Sequence, residues 1–201
     1  MIFPIVATGI LLVLAAVFIS QCAFFNATKI VKPSPVDTSI LKPLANYPDY
    51  DLDELKARIE RLEGKEGVQS LSGDAWNTDQ GGEWKFEFVY NHVDVYIWVY
   101  NRFENAASTP FLGGDNGVNP KKTEISDSVV AMLNPVVKYR SGDAPWFYEP
   151  LNNLFTSVRI GNIVVDINEN SEDSNTIGTD TNKALAQIVS VLLPEAKTTP
   201  K

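Results

Sequence analysis

The sequence predicts an α+β fold: an N-terminal transmembrane helix, then an antiparallel sheet covered by helices near the start and end of the domain. Three observations predict it. No charged side chain precedes Lys29. Two alternating runs, Trp84–Tyr90 and Val93–Tyr100, flank Asn91-His92. A stripe of apolar residues at helical spacing lies near each end of the remaining chain, at Leu52–Leu62 and Leu185–Leu192. Alternation with period two marks strands and period 3.6 marks helices. Strands flanked by helices indicate a sheet with helices on one face.

The composition narrows the function classes. A chain of 201 residues holds one ordinary domain with an appendage. With 44% apolar and 21% charged residues, disorder and coiled coil are excluded as the main state. The single Cys excludes a disulfide framework and a Cys-based zinc site, and the single His excludes most His-centred chemistry. A net charge of −8 makes nucleic acid a poor partner for the surface as a whole.

Ile5–Phe25 is almost continuously apolar. As a helix its twenty-one residues span roughly 31 Å, close to the hydrocarbon core of a bilayer. Ile5, Leu11, Leu12, Leu14, Val17, Phe18, Phe24 and Phe25 would meet lipid, and no polar stripe interrupts them. Residues 1–28 are therefore expected to be a membrane anchor or signal segment. A retained single-pass anchor is the leading reading. A lipoprotein signal with lipidation at Cys22 and a cleaved secretory signal are the alternatives, although Gln21 suits neither cut well. Lys29, Lys32 and Lys42 follow the segment and no basic side chain precedes it, which favours a cytoplasmic body. The acidic downstream composition, free of Cys and rich in Asn, Asp, Ser and Thr, favours an extracytoplasmic one. The second is the expectation adopted.

Residues 29–50 carry Pro33, Pro35, Pro43 and Pro48 and read as a semi-rigid spacer. For Leu41–Tyr47 the alternative is a loop packed on the domain. The globular domain is expected over residues 51–195, with a tail at 196–201.

Within the domain, Asp51-x-x-Glu54 resembles a capping box ahead of a helix that ends at Gly64. Val68–Leu71 reads as a short strand before a polar turn through Gly73 and Asp74. Asn91-His92 then joins the two alternating runs as a hairpin. The second run is apolar on both faces, so it should be central and covered on both sides. The first has a charged face and should lie nearer an edge. Residues 105–122 form a Gly-rich loop. Ser126 suits the cap of a short helix with Val129, Val130 and Leu133, stopped by Asn134-Pro135. Val136–Arg140 is a strand and residues 141–150 an aromatic loop. Val158–Ile167 is strand-like around Gly161-Asn162, which is either a hairpin turn or a bulge. Asp180 or Thr181 caps a last helix that Pro194 ends.

Val158–Val165, followed by a polar loop and a helix with Ala184, Leu185 and Ile188, resembles the end of bacterial extracytoplasmic sensor-type lipoprotein domains. The likeness covers roughly a fifth of the chain and carries no functional residue with it.

Motifs for chemistry are sparse. His92 lies at a turn with no nucleophile motif nearby. Glu83, Glu87 and Asp94 read as a charged sheet face rather than a catalytic carboxylate pair. Asp166-x-Asn168-x-Asn170 starts like a calcium loop, but Ser171 and Ile177 stand where that loop needs Gly and Glu. No cofactor and no metal are expected. Trp84 and Trp98 fit the sheet core, whereas Trp146, Phe147 and Tyr148 in the aromatic loop are the expected interaction surface. The expected function is that of a non-enzymatic, membrane-anchored binding or accessory subunit, with the lipid bilayer and a protein in or near it as partners. The alternative is a small-ligand or carbohydrate-binding, even hydrolytic, envelope protein.

Overall fold

The computed structural model describes residues 30–47, 51–108, 119–138 and 152–193. The anchor segment with Cys22, the aromatic loop with Trp146, Phe147 and Tyr148, residues 109–118 of the expected Gly-rich loop and the tail lie outside the described residues. No helix among the described residues is long and apolar enough to cross a membrane.

Alternating apolar residues build a mostly antiparallel sheet with a few helices. Its strands are β1 (Ile30–Lys32), β2 (Val68–Ala75), β3 (Gly82–Tyr90), β4 (Val93–Tyr100), β5 (Lys121–Glu124), β6 (Val129–Leu133), β7 (Val136–Lys138), β8 (Asn152–Ile160) and β9 (Ile163–Ser171). The helices are α1 (Leu52–Glu60), α2 (Phe103–Ser108) and α3 (Thr179–Leu192), with a 3-10 helix at Thr38–Leu44. The main path runs β1-β7-β8-β9-β4-β3-β2, with β6 also beside β8 and β5 beside β6.

The β3–β4 hairpin is where the sequence places it. Tyr90 pairs with Val93, and Asn91 takes φ +52 in the turn, a left-handed conformation that Asn tolerates. Gly161-Asn162 resolves as a hairpin turn, with Ile160 paired to Ile163. Gly161 has φ +58, and a Cβ there would press on the Tyr47 ring. Asn162 accepts from the Tyr100 amide at 2.9 Å and its Nδ2 donates to the Tyr100 carbonyl at 2.7 Å. The turn is thereby bonded to the end of β4.

One face of the sheet is packed by helices. Val95, Ile97, Val165 and Ile167 point from it toward Leu55 and Ile59 of α1 and Leu185 and Ile188 of α3, in one apolar core. Asp51 caps α1 by accepting from the Glu54 amide at 2.8 Å. Arg58 is buried; Glu54 holds it at 2.7 Å and its Nη1 donates to the Leu193 carbonyl at 3.0 Å. That cation meets the carbonyl end of α3, where the helix dipole favours it. The other end of α3 follows Gly178, not Asp180 or Thr181. There buried Glu169 of β9 accepts from the Thr181 amide at 3.1 Å and its hydroxyl at 2.6 Å.

Several expectations are corrected. Val129–Leu133 is strand β6, not a helix capped by Ser126; it lies between β5 and β8, and its β-branched valines suit a doubly packed strand. The region 105–122 contains part of α2 and the start of β5. Gly73 and Asp74 continue β2 rather than turning, because β2 pairs with β3 as far as Ala75. β4 is central, but only its helix-side face is wholly buried: Asp94 is exposed and Tyr96 and Trp98 are half-buried. β3 is next to the edge strand β2. Residues 30–47 are not a free spacer. β1 pairs with β7, and Leu41 and Leu44 are wholly buried, so the packed alternative for Leu41–Tyr47 is the one observed.

Candidate functional site

The sheet face away from α1 and α3 carries the most unusual polar group. Alternation along β9 sends Val165 and Ile167 to the core and Asp166 to this other face. Register brings Ser157 of β8 and Tyr96 of β4 to either side of Asp166. Asp166 is only 4% exposed. Ser157 Oγ donates to one carboxylate oxygen at 2.6 Å and Trp98 Nε1 donates to the other at 3.0 Å. Burial pushes the Asp166 carboxyl above its ordinary value, while the Ser157 and Trp98 hydrogen bonds pull it back.

Aromatic rings and cations surround this carboxylate. Trp98 packs on Trp76 at 4.7 Å and lies nearly parallel to Tyr96 at 6.4 Å. Lys85 Nζ sits 5.2 Å from both the Tyr96 and Trp98 rings and pairs with Glu87 at 2.9 Å. Arg159, next to Ser157 on the same face of β8, lies over the Phe103 ring at 4.8 Å. Its Nη2 donates to the Asp127 carbonyl at 3.0 Å, while its Nε is buried without a hydrogen-bond partner among the described residues. Burial lowers the Arg159 guanidinium from its usual value, and Glu124 opposes that shift.

This arrangement holds a carboxylate; it does not activate a nucleophile. Ser157 is wholly buried and points its proton at Asp166, with no imidazole between them. The single histidine, His92, is exposed at the β3–β4 turn. No group of three His, Cys, Asp or Glu side chains among the described residues is placed to hold a metal ion. Asp166, Asn168 and Asn170 lie two apart on one strand, and the Asn153 amide bridges Asn168 and Asn170 at 2.8 and 2.9 Å.

The other expected residues separate. Trp84 and Trp98 point to opposite faces: Trp84 packs on the main core under Lys56 Nζ at 4.0 Å, and Trp98 binds Asp166. Glu87 and Asp94 line one groove of about 230 Å³ with Ser70 and Tyr96. Trp146, Phe147, Tyr148 and Cys22 lie outside the described residues. The Trp98–Asp166–Ser157 contact was not foreseen as a unit. Its sequence signal was the polar residue Asp166 between apolar Val165 and Ile167 in a strand-like run.

No protein-family model matches the chain, and no curated protein matches it either.

Proposed function

We propose that this protein is a non-enzymatic, single-pass membrane protein whose body lies outside the cytoplasm and serves as a binding or accessory subunit at the bilayer. The observation that carries this reading is the uncharged opening of the chain and where it leads. Ile5–Phe25 is long enough to span a bilayer, and β1 begins at Ile30. The five steps from Phe25 to Ile30 cover at most about 18 Å. An anchor in those residues holds the body directly against the membrane and raises its effective concentration toward membrane neighbours. The occupied hydrogen bonding of Asp166 and Ser157 supports a binding role over a catalytic one.

Protease treatment of intact cells, with mass spectrometry of the N-terminus, tests the reading. Digestion of the body with residues 1–28 retained is the expected result. A protected body would refute the outward orientation. Full-length chain recovered without detergent would refute the anchor.

A second reading, binding of a small ligand or carbohydrate, is favoured by the groove that places Glu87, Asp94 and Tyr96 together. Tyr96→Ala abolishing oligosaccharide binding while leaving membrane association intact would select it.

A further inference from the structure

The sheet ends on one side in two short strands laid end to end, β1 beside β7 and β5 beside β6. The break between them falls at Asn134-Pro135, where proline supplies no amide to the ladder. A cleft of about 320 Å³ opens there, lined among others by Ser34, Thr38, Asn119, Lys121 and Pro135. This edge differs in charge from the rest of the molecule. Residues 30–47 and 119–138 hold five lysines against three carboxylates, in a chain of net charge −8. Lys32 and Lys121 are exposed and make no ion pair among the described residues, whereas Lys122 pairs with Glu124 at 2.6 Å. Val31, 47% exposed, projects from the same edge. Across the sheet, edge strand β2 carries Asp74 and no basic residue.

We infer that the β1/β5 edge lies on the membrane surface and binds anionic phospholipid, with a lipid phosphodiester seated in the cleft beside Lys121. The inference rests on the anchored reading above, because the tether is what brings this edge to the headgroups. The ammonium of Lys121 and the hydroxyls of Ser34 and Thr38 are donors suited to phosphate oxygens. Basic residues next to a membrane segment are drawn to anionic lipid, each contributing about fivefold in affinity. Lysine also serves on sheet edges to block pairing with another chain. That role predicts no dependence on lipid charge, so the two are separable.

The test uses the full chain in nanodiscs of phosphatidylcholine, with or without phosphatidylglycerol, and reads the acetylation rate of each lysine by mass spectrometry. In the anionic discs Lys32 and Lys121 should react about fivefold more slowly, and high salt should restore them. Lys65 and Lys183 should be unchanged. Equal rates in both discs, or uniform slowing of every lysine, would overturn the inference while leaving the anchor standing. Equal protection by inorganic phosphate on neutral discs would overturn the lipid as the source of the phosphate group. A chain that fails to enter discs at all would overturn the anchor, and the inference with it.

Discussion

Replacing Asp166 with Asn separates the shape of the Trp98–Asp166–Ser157 contact from its charge. Asn fills nearly the same volume. Its oxygen accepts from Trp98, and its amide donates to a Ser157 hydroxyl rotated to accept. What disappears is the desolvation of a buried carboxylate, the largest influence on Asp166. What is lost is the strength of two hydrogen bonds to a charged acceptor, about 1.5–3 kcal/mol each, replaced by neutral ones of about 0.5–1.5 kcal/mol. The two effects oppose each other, so D166N should lie within about 1 kcal/mol of the parent at neutral pH. Asp166→Ala instead leaves the wholly buried Ser157 hydroxyl without its acceptor and opens a void. It should cost about 2–4 kcal/mol, a fall in Tm of about 5–15 °C for a body of this size. The pH dependence has a definite sign. The folded-state pKa is raised above the unfolded 3.8, so the folded protein holds the proton more tightly. The parent therefore loses stability as pH rises from the ordinary carboxylate range through the folded pKa, and regains it as pH falls. D166N lacks that slope, so the balance should move toward the variant with rising pH. Thermal unfolding of the full chain in neutral detergent, followed by tryptophan fluorescence at mildly acidic and neutral pH, measures both effects. If D166N is as damaging as D166A throughout, the charge itself is required and the reasoning fails. A pH-independent difference would refute the raised pKa.

Two further substitutions probe how the chain ends are held. Leu41→Ala should cost about 2–5 kcal/mol in the same unfolding assay, because Leu41 is wholly buried; no effect would mean that residues 30–47 are a detached spacer after all. Glu169→Ala should cost about 1–3 kcal/mol and speed amide exchange in the first turn of α3, since Thr181 loses both of its contacts. Glu169→Gln keeps an acceptor and should be milder; equal loss from both would point to the charge at the helix terminus instead.

The elements legible in the sequence are those whose own residues determine their state. Phe86, Phe88 and Tyr90 alternate with Lys85, Glu87 and Val89, and Val93, Val95, Ile97 and Val99 continue the pattern beyond a polar turn. Leu185, Ile188, Val189 and Leu192 leave no choice but a helix with one apolar face. The run Val129–Leu133 carries no alternation, and a five-residue apolar run does not distinguish strand from helix. Burial against β8 decides it. Lys121–Glu124 has no intrinsic strand signal and is a strand because β6 offers it a ladder. The polar site was hidden for another reason. The two-residue spacing of Asp166, Asn168 and Asn170 is shared by calcium loops and by one face of a strand. Trp98 meets Asp166 only because β9 inserts beside β4, sixty-eight positions away in the chain.

The strand order also reconciles an acidic body with the proposed contact to an anionic membrane. Six strand spacings of about 4.8 Å separate β1 from β2, so the two sheet edges lie roughly 29 Å apart. Screening at physiological ionic strength reduces charge interactions over about 8 Å. With the β1/β5 edge on the lipid as proposed, Asp74 and the carboxylates around β2 and β3 would contribute little repulsion, while Lys32 and Lys121 would act at contact distance. The net charge of −8 is then a poor guide to membrane affinity, because what matters is which charges the fold places within a screening length of the lipid. Under the proposed anchoring, the same separation would turn β2 and the groove with Glu87 and Asp94 toward the aqueous side. In that orientation a partner with a basic surface would be favoured there.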